Sequence, residues 1–432
     1  MKKMFKQIVA GMCITALAST VLVGCGSKGE GVESSASGTK KEETKSKEKK
    51  GNEIEFWTVF TGPDGDSMTA MIDAYNATNP KMKVVHRPIE ANDLYTKLPT
   101  LAQTGTNVPD LSIIHVERLP LFAEQGLLTP IDDYIASNGT IKGEDYVPAA
   151  WDKGEVDGKR YAVPLDVHSF ITYYNKDLLE KYGPNVLDDG AITFAEVEEV
   201  SAKAKEDNIV GLGLTWLRVK TLAWYAQLGG KLSDDGTNIT LNNDKFAKVL
   251  NTLKDLHDKG YTTIEGDDPM QLFTSGQMVF WPEGIWMKNN LTPIDTLNFG
   301  MAQFIQFDPT VQGNWTSSHQ MVMIKNPQMT DERAAAIMDF VAWLGGNSLE
   351  WAKSGQNPAC LKILENEEYL EMGQSFLLEA TDSLIIHDYK YYGYAAEALD
   401  KVVAEVPFGR MTAEEALEQA EKETADRISA GQ

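Results

Sequence analysis

Two hydrophobic periods alternate along most of this chain. Ile54-Glu55-Phe56-Trp57-Thr58-Val59 reads as a strand that runs into the turn-rich Thr61-Gly62-Pro63-Asp64-Gly65-Asp66. Apolar Met68, Met71, Ile72 and Tyr75, spaced by three and four, predict a helix that ends before Pro80. Met82-Lys83-Val84-Val85 and Leu111-Ser112-Ile113-Ile114 predict two further strands, the latter followed by a helix carrying Leu119, Phe122 and Ala123. Phe194, Val197, Val200 and Ala204 mark another helix, as do Phe246, Val249, Leu250, Leu253 and Leu256. Such alternation implies an α/β protein with mostly parallel sheets and helices on both faces. Ligands of such folds bind on the loops beyond the carboxyl ends of the strands.

The first residues follow neither period. Lys2, Lys3 and Lys6 precede an almost uncharged run from Ile8 to Val23, which closes on Leu22-Val23-Gly24-Cys25. A positive end, a short apolar core and a small-residue cleavage site mark a secretory signal over residues 1–24. The Leu-Val-Gly-Cys ending resembles the lipobox of bacterial lipoproteins, which implies a diacylglycerol on Cys25 and a place on the extracytoplasmic face of the cell membrane. Gly26 to Gly51 holds Ser, Gly, Thr, Lys and Glu with almost no apolar residue, a composition too polar to fold. With Cys25 it reads as a tether over residues 25–51.

From Asn52 onward the chain is long enough for two domains. The 432-residue chain is 42% hydrophobic with nine Trp, so cores are easily filled. Its net charge of −23 argues against nucleic acid, which needs clustered Lys and Arg. Cys13 leaves with the signal and Cys25 takes the lipid, so Cys360 stands alone without a disulfide partner. Catalytic motifs are missing: there is no phosphate loop, dinucleotide fingerprint, zinc-protease helix or nucleophile elbow. The six His, at 86, 115, 168, 257, 319 and 387, are scattered along the sequence with no i, i+4 pair, so no metal or cofactor is expected. Asp234-Asp235-Gly236 reads as a tight turn, and the pairs Asp132-Asp133 and Asp267-Asp268 as solvated surface.

The order of several short motifs resembles the extracellular solute-binding proteins (family 1) that feed carbohydrate importers of the ATP-binding-cassette type, the maltose-binding group among them. Tyr75-Asn76-Ala77-Thr78-Asn79-Pro80 follows the first strand and helix, and Gln103-Thr104-Gly105-Thr106-Asn107-Val108-Pro109-Asp110 comes next. Phe122-Ala123-Glu124-Gln125-Gly126-Leu127 and Gly158-Lys159-Arg160-Tyr161-Ala162-Val163-Pro164 continue the order. Phe273 to Val279 with Gly284-Ile285-Trp286, and then Gly355-Gln356-Asn357-Pro358-Ala359, close it. The resemblance implies a two-lobed periplasmic-binding-protein-like fold (type II) with the ligand cleft between lobes. One lobe would comprise residues 52–164 plus 304–345, the other 165–303 plus 346–432. It also implies a non-catalytic, monomeric protein that takes a mono- or oligosaccharide to the transmembrane subunits of a permease. Alternatives are the same fold with a polyol, peptide or glycerol phosphodiester, or a surface glycoside hydrolase with two carboxylates.

By the same resemblance, Thr61 and Asp64 lie on a cleft loop, and His115, Glu117 and Arg118 on another. Glu117 and Arg118 read equally as a surface ion pair. Asp166 matches an acidic hydroxyl acceptor and reads also as a hinge cap. His168 is a sugar contact or a structural histidine. Trp286 matches an aromatic that stacks on sugar, with Trp216 and Trp281 behind it, whereas Trp343 and Trp351 read as core. His387, Tyr389, Tyr391 and Tyr392 form an aromatic run that lines the cleft or packs beneath it. The loop after the first strand lacks the Lys of maltose-type relatives, which separates this chain from maltose specificity.

Overall fold

The computed structural model describes residues 51–308, 310–311, 313–377, 384–386 and 389–430, with the backbone alone for 384–386. The expected signal, the lipid acceptor Cys25, the tether up to residue 50, and His387 lie outside these residues. Among the described residues, no helix is long and apolar enough to cross a membrane.

Two sheets organise the fold. In the first, strands Lys83–Pro88, Glu53–Thr58 and Leu111–His115 run parallel; His319–Met323 and then Ala162–Pro164 complete it in antiparallel pairings. The second centres on the long strand His168–Asn175, which pairs antiparallel with Met278–Gly284, Phe299–Ala302 and Asn314–Ser317. Leu384–Ile386 and Val210–Leu212 lie at its two ends. The sheets are therefore mixed rather than mostly parallel. The chain passes between the sheets at 165–167 and again at residue 318, and each antiparallel pairing within these two sheets involves a strand that flanks one of these passages.

The predicted helical faces are the buried ones. Helix Asp244–Asp258 buries Phe246, Val249, Leu250, Leu253 and Leu256, and Asn243 caps its start by accepting from the Phe246 N–H. Thr193 and Glu196 form a capping box at the start of Phe194–Glu206. Helix Gly62–Ala77 turns Met68, Met71, Ile72 and Tyr75 onto the core beneath the first sheet. The Asp235 carboxylate accepts from the Thr237 and Asn238 N–H groups, with Gly236 at φ 78°, so the Asp-Asp-Gly stretch is a turn.

The expected division of the chain needs correction at two places. Phe304 and Ile305 pack into the core of the second sheet and Asn314–Ser317 pairs with it, so residues 304–317 do not join the first lobe. Trp351 and Ala359 are buried in the core of the first sheet, which places 346–359 there. Hydrophobic burial decides both assignments.

A buried ion pair fixes the first of the described residues. Arg333 donates to Asp110 at 3.1 Å and to the backbone carbonyls of Glu53 and Gly51, while Asp110 also accepts from the Glu55 N–H and from Asn326. Removing one partner of such a pair strands the other charge in the interior. Arg333→Ala is expected to lower unfolding stability by about 3–5 kcal/mol in a urea titration; an unchanged midpoint would show that the pair contributes nothing net.

Candidate functional site

Strand register assembles the site. His319 pairs across from His115 in the first sheet, and Ser317, two residues earlier, pairs with His168 in the second. Three of the six histidines therefore meet where the chain passes between the sheets. One ring nitrogen from each of His115, His168 and His319 lies within 4.8 Å of the other two. The His168 and His319 rings stack with centroids 4.1 Å apart, and His115 approaches them at 5.7 and 4.9 Å.

Asp166 sits beneath these rings, fully buried. Its Oδ1 meets His168 Nδ1 at 3.0 Å and its Oδ2 meets His319 Nδ1 at 2.7 Å. The same carboxylate accepts from the Trp351 indole N–H at 2.8 Å and from the His319 backbone N–H at 3.1 Å. Burial pushes this carboxyl up, but the His319 and His168 contacts outweigh it and hold the group below the ordinary carboxylate range. Burial pushes His319 down, with Asp166 opposing, and pushes His115 well below the usual imidazole value. Tyr95 holds the third ring: its hydroxyl accepts the His115 backbone N–H at 2.9 Å and lies 2.5 Å from His115 Nδ1.

Polar groups surround this cluster. Gln356 donates to Asp64 at 2.9 Å, and its side-chain amide oxygen Oε1 is buried without a partner among the described residues. Burial raises the Asp64 carboxyl to about 7; the Gln356 hydrogen bond opposes the rise and the Asp166 charge adds to it. Thr61 stands exposed at the start of the same helix, its hydroxyl making no cap. Glu117 accepts from Ser317 at 2.6 Å. Arg118 lies over the Tyr95 ring at 4.9 Å and 3.9 Å from Glu397. Neither is the simple Glu117–Arg118 surface pair, since each has a partner elsewhere.

Aromatic rings form a wall beside the cluster. Trp286 meets His168 edge-on at 5.9 Å, and Trp216 stands perpendicular to Trp286 at 6.5 Å. A Cβ on Gly284 would lie 2.1 Å from the Trp286 ring, so only glycine leaves room for it there. Trp216 is 56% exposed and its backbone is left-handed at φ 48°, which is costly for a bulky residue. A buried network holds this loop in place. Glu283 accepts from Thr215 at 2.6 Å and from the Gly284 N–H, and also takes a hydrogen bond from Trp216. Lys220, fully buried, donates to Thr215 at 2.5 Å and to the Pro282 carbonyl. Burial lowers Lys220 to about 8 and raises Glu283.

Two expected site residues fall elsewhere. Trp281 is 3% exposed and packs with Tyr173 and Phe273, because both faces of strand Met278–Gly284 are buried. Tyr389 is buried and its hydroxyl donates to the Thr237 carbonyl. Trp281 packs within the sheet's core and Tyr389 takes the second of its two readings, packing. The histidines scattered along the sequence nevertheless converge in space, since spacing along the chain says nothing of cross-strand register. His319, Gln356, Phe60 and Trp315 were not singled out, yet Phe60 packs on His319 at 4.7 Å and Trp315 lies 5.8 Å from His168. Gln356 had a signal in the closing motif; His319 had none. A surface groove of about 780 Å³ along the last helix, lined by residues such as Arg410, Glu415 and Lys422, contains none of these groups.

The fold and this site define a class, two-lobed binding proteins with a cluster of polar and aromatic groups at the passage between sheets. The chain belongs to the bacterial extracellular solute-binding protein family, whose model matches residues 61–349. It is 26% identical to a binding protein of Brucella abortus over 328 residues, 73% of this chain and 76% of that one. An arabinooligosaccharide-binding protein of Halalkalibacterium halodurans is 27% identical over 47% of this chain and 45% of its own length. Among solved structures, an ABC substrate-binding protein of Listeria monocytogenes in complex with cycloalternan superposes with a TM-score of 0.75 at 22% identity. That match covers 87% of this chain and 99% of the other. A Mycobacterium tuberculosis protein in complex with glycerophosphocholine superposes at 0.74 and 19% identity, over 88% and 98% of the two chains.

Asp64 gives the site a pH signature. The folded carboxyl keeps its proton up to about pH 7, the unfolded one only to its ordinary value of 3.8. Between these limits the folded state binds more protons, so stability falls as pH rises through that window. Melting temperatures from pH 4 to 7.5 are expected to fall less in Asp64→Asn than in the natural protein; parallel curves would remove Asp64 as the source.

Proposed function

We propose that this protein is the membrane-tethered capture component of an ABC importer and that its solute is a mono- or oligosaccharide. The observation that carries this reading is the perpendicular Trp216–Trp286 pair, held beside His168 on a strained, half-exposed loop. A sugar has apolar C–H faces and a rim of hydroxyls, so a good site offers flat rings and fixed polar groups. Here Trp216 and Trp286 supply the rings. Asp64, Gln356, Glu117, His115, His168 and Arg118 supply donors and acceptors, with Thr61 at the margin. Asp166 acts through the histidines, its oxygens already engaged with His168, His319 and Trp351.

Capture follows from differential affinity. The site draws on strands of both sheets, so a solute that contacts both favours the form in which they close on it. The Arabino- and cycloalternan-binding relatives support a saccharide; the glycerophosphocholine-binding one keeps a phosphodiester as the second reading. Arg118 and Arg218 both lie near Tyr392, but Glu397 and Asp400 pair with them, which leaves little positive charge for a phosphate. A diacylglycerol on Cys25 and the tether over residues 25–51 would hold this monomer at the extracytoplasmic face of the cell membrane beside its permease.

A thermal-shift screen of the purified protein tests the solute class. A bound saccharide at 100 times its Kd adds about 2.7 kcal/mol of stability. Trp286→Ala is then expected to weaken that saccharide about tenfold, the loss of one ring contact. A melt moved only by amino acids, peptides or phosphodiesters, or turnover of a glycoside, contradicts the reading.

A further inference from the structure

The three converging histidines make an arrangement that sugar capture does not require. In a site built only for hydroxyls, scattered donors and acceptors suffice. Here His115, His168 and His319 bring ring nitrogens within 4.8 Å of one another, from two paired strands of the first sheet and one strand of the second. The Nδ1 atoms of His168 and His319 face the Asp166 carboxylate, and Nδ1 of His115 faces the Tyr95 hydroxyl. All three Nε2 atoms are without a hydrogen bond among the described residues. A carboxylate behind an imidazole is what fixes a metal-binding tautomer, with the proton on Nδ1 and the lone pair on Nε2.

We infer that His115, His168 and His319 form a binding site for one divalent first-row ion of the Zn²⁺ class, with Asp166 and Tyr95 as the groups that position the rings. Three imidazoles suit Zn²⁺, Ni²⁺, Cu²⁺ or Co²⁺ rather than Mg²⁺ or Ca²⁺, which want oxygen. Bonds of about 2.0–2.1 Å in a tetrahedron set nitrogens about 3.3 Å apart. The rings therefore draw in by up to about 1.5 Å on binding, within the reach of small side-chain rotations. Three ligands leave the fourth position of the tetrahedron open to water or to a solute oxygen. His115 is half-buried and provides the way in, whereas His168 and His319 are buried. The ion would cross-link the two sheets at the passage where the chain moves between them. The site holds whether or not the solute is a sugar, because the ion is bound by side chains alone.

The test titrates the purified, EDTA-treated protein with Zn²⁺ and with Co²⁺, without sugar. One ion per chain is expected, with the visible absorption bands of four- or five-coordinate Co²⁺ and a raised melting temperature. His168→Gln and His115→Gln should each lower Zn²⁺ affinity at least 100-fold. Asp166→Asn should lower it about 10- to 100-fold and alter the Co²⁺ spectrum. Because the buried variants can fail to fold, X-ray absorption of the Zn²⁺ form of the natural protein counts imidazoles directly. Three supports the site. Fewer than two, no stoichiometric binding, or full affinity in a folded His115→Gln variant overturns it. A sugar-dependent thermal shift that survives in the metal-free protein leaves the capture reading standing while this one is judged separately.

Discussion

The site depends on one buried carboxylate. Asp166 is taken out of water entirely, and an unpaired charge there would be prohibitive. It is kept by donors from three places: His168 on the second sheet, His319 on the first, and the Trp351 indole from the helix Leu349–Lys353. Losing any one leaves the charge less compensated. The carboxylate thus ties together the two passages of the chain between the sheets and the segment that returns to the first. The three-histidine cluster is a consequence of that tie, since two of its rings are aimed by the same group.

The aromatic wall rests on a second buried network of similar logic. Lys220 and Glu283 are both removed from solvent, and their shared partner Thr215 precedes Trp216 in the chain. A left-handed Trp is held where a relaxed loop would not put it, and half its ring is left facing solvent. Strain of this kind persists only when the surroundings over-determine it. Rings on one side and aimed imidazoles on the other are fixed by these networks in advance, and such preorganisation lowers the cost of ordering on binding.

The elements were legible where one periodicity dominated. The helices at 194–206 and 244–258 carry their buried faces at the predicted residues, because a half-buried helix must place apolar groups every three or four positions. Family membership was legible in motif order, and the Gly284-Ile285-Trp286 motif led to a ring that does border the cluster. Trp281 was misread because its strand is buried on both faces, where an aromatic residue is as much core as site. The placement of residues 304–317 was misread because pairing with His168–Asn175 leaves no local mark. His319 was invisible for the same reason: its neighbours are set by register between strands far apart in sequence. For Asp166, read as a sugar acceptor or a hinge cap, the sequence position gives no sign of the His and Trp donors that engage it.

The most direct measurement is of the proton positions on His168 and His319. Nitrogen-15 chemical shifts of the imidazoles in the metal-free protein near neutral pH report which ring nitrogen carries hydrogen. Hydrogen on Nδ1 of both rings, facing Asp166, is what the organising role of this carboxylate predicts. A neutral ring with its proton on Nε2 in either residue would contradict it, because the carboxylate would then face a lone pair instead of a donor.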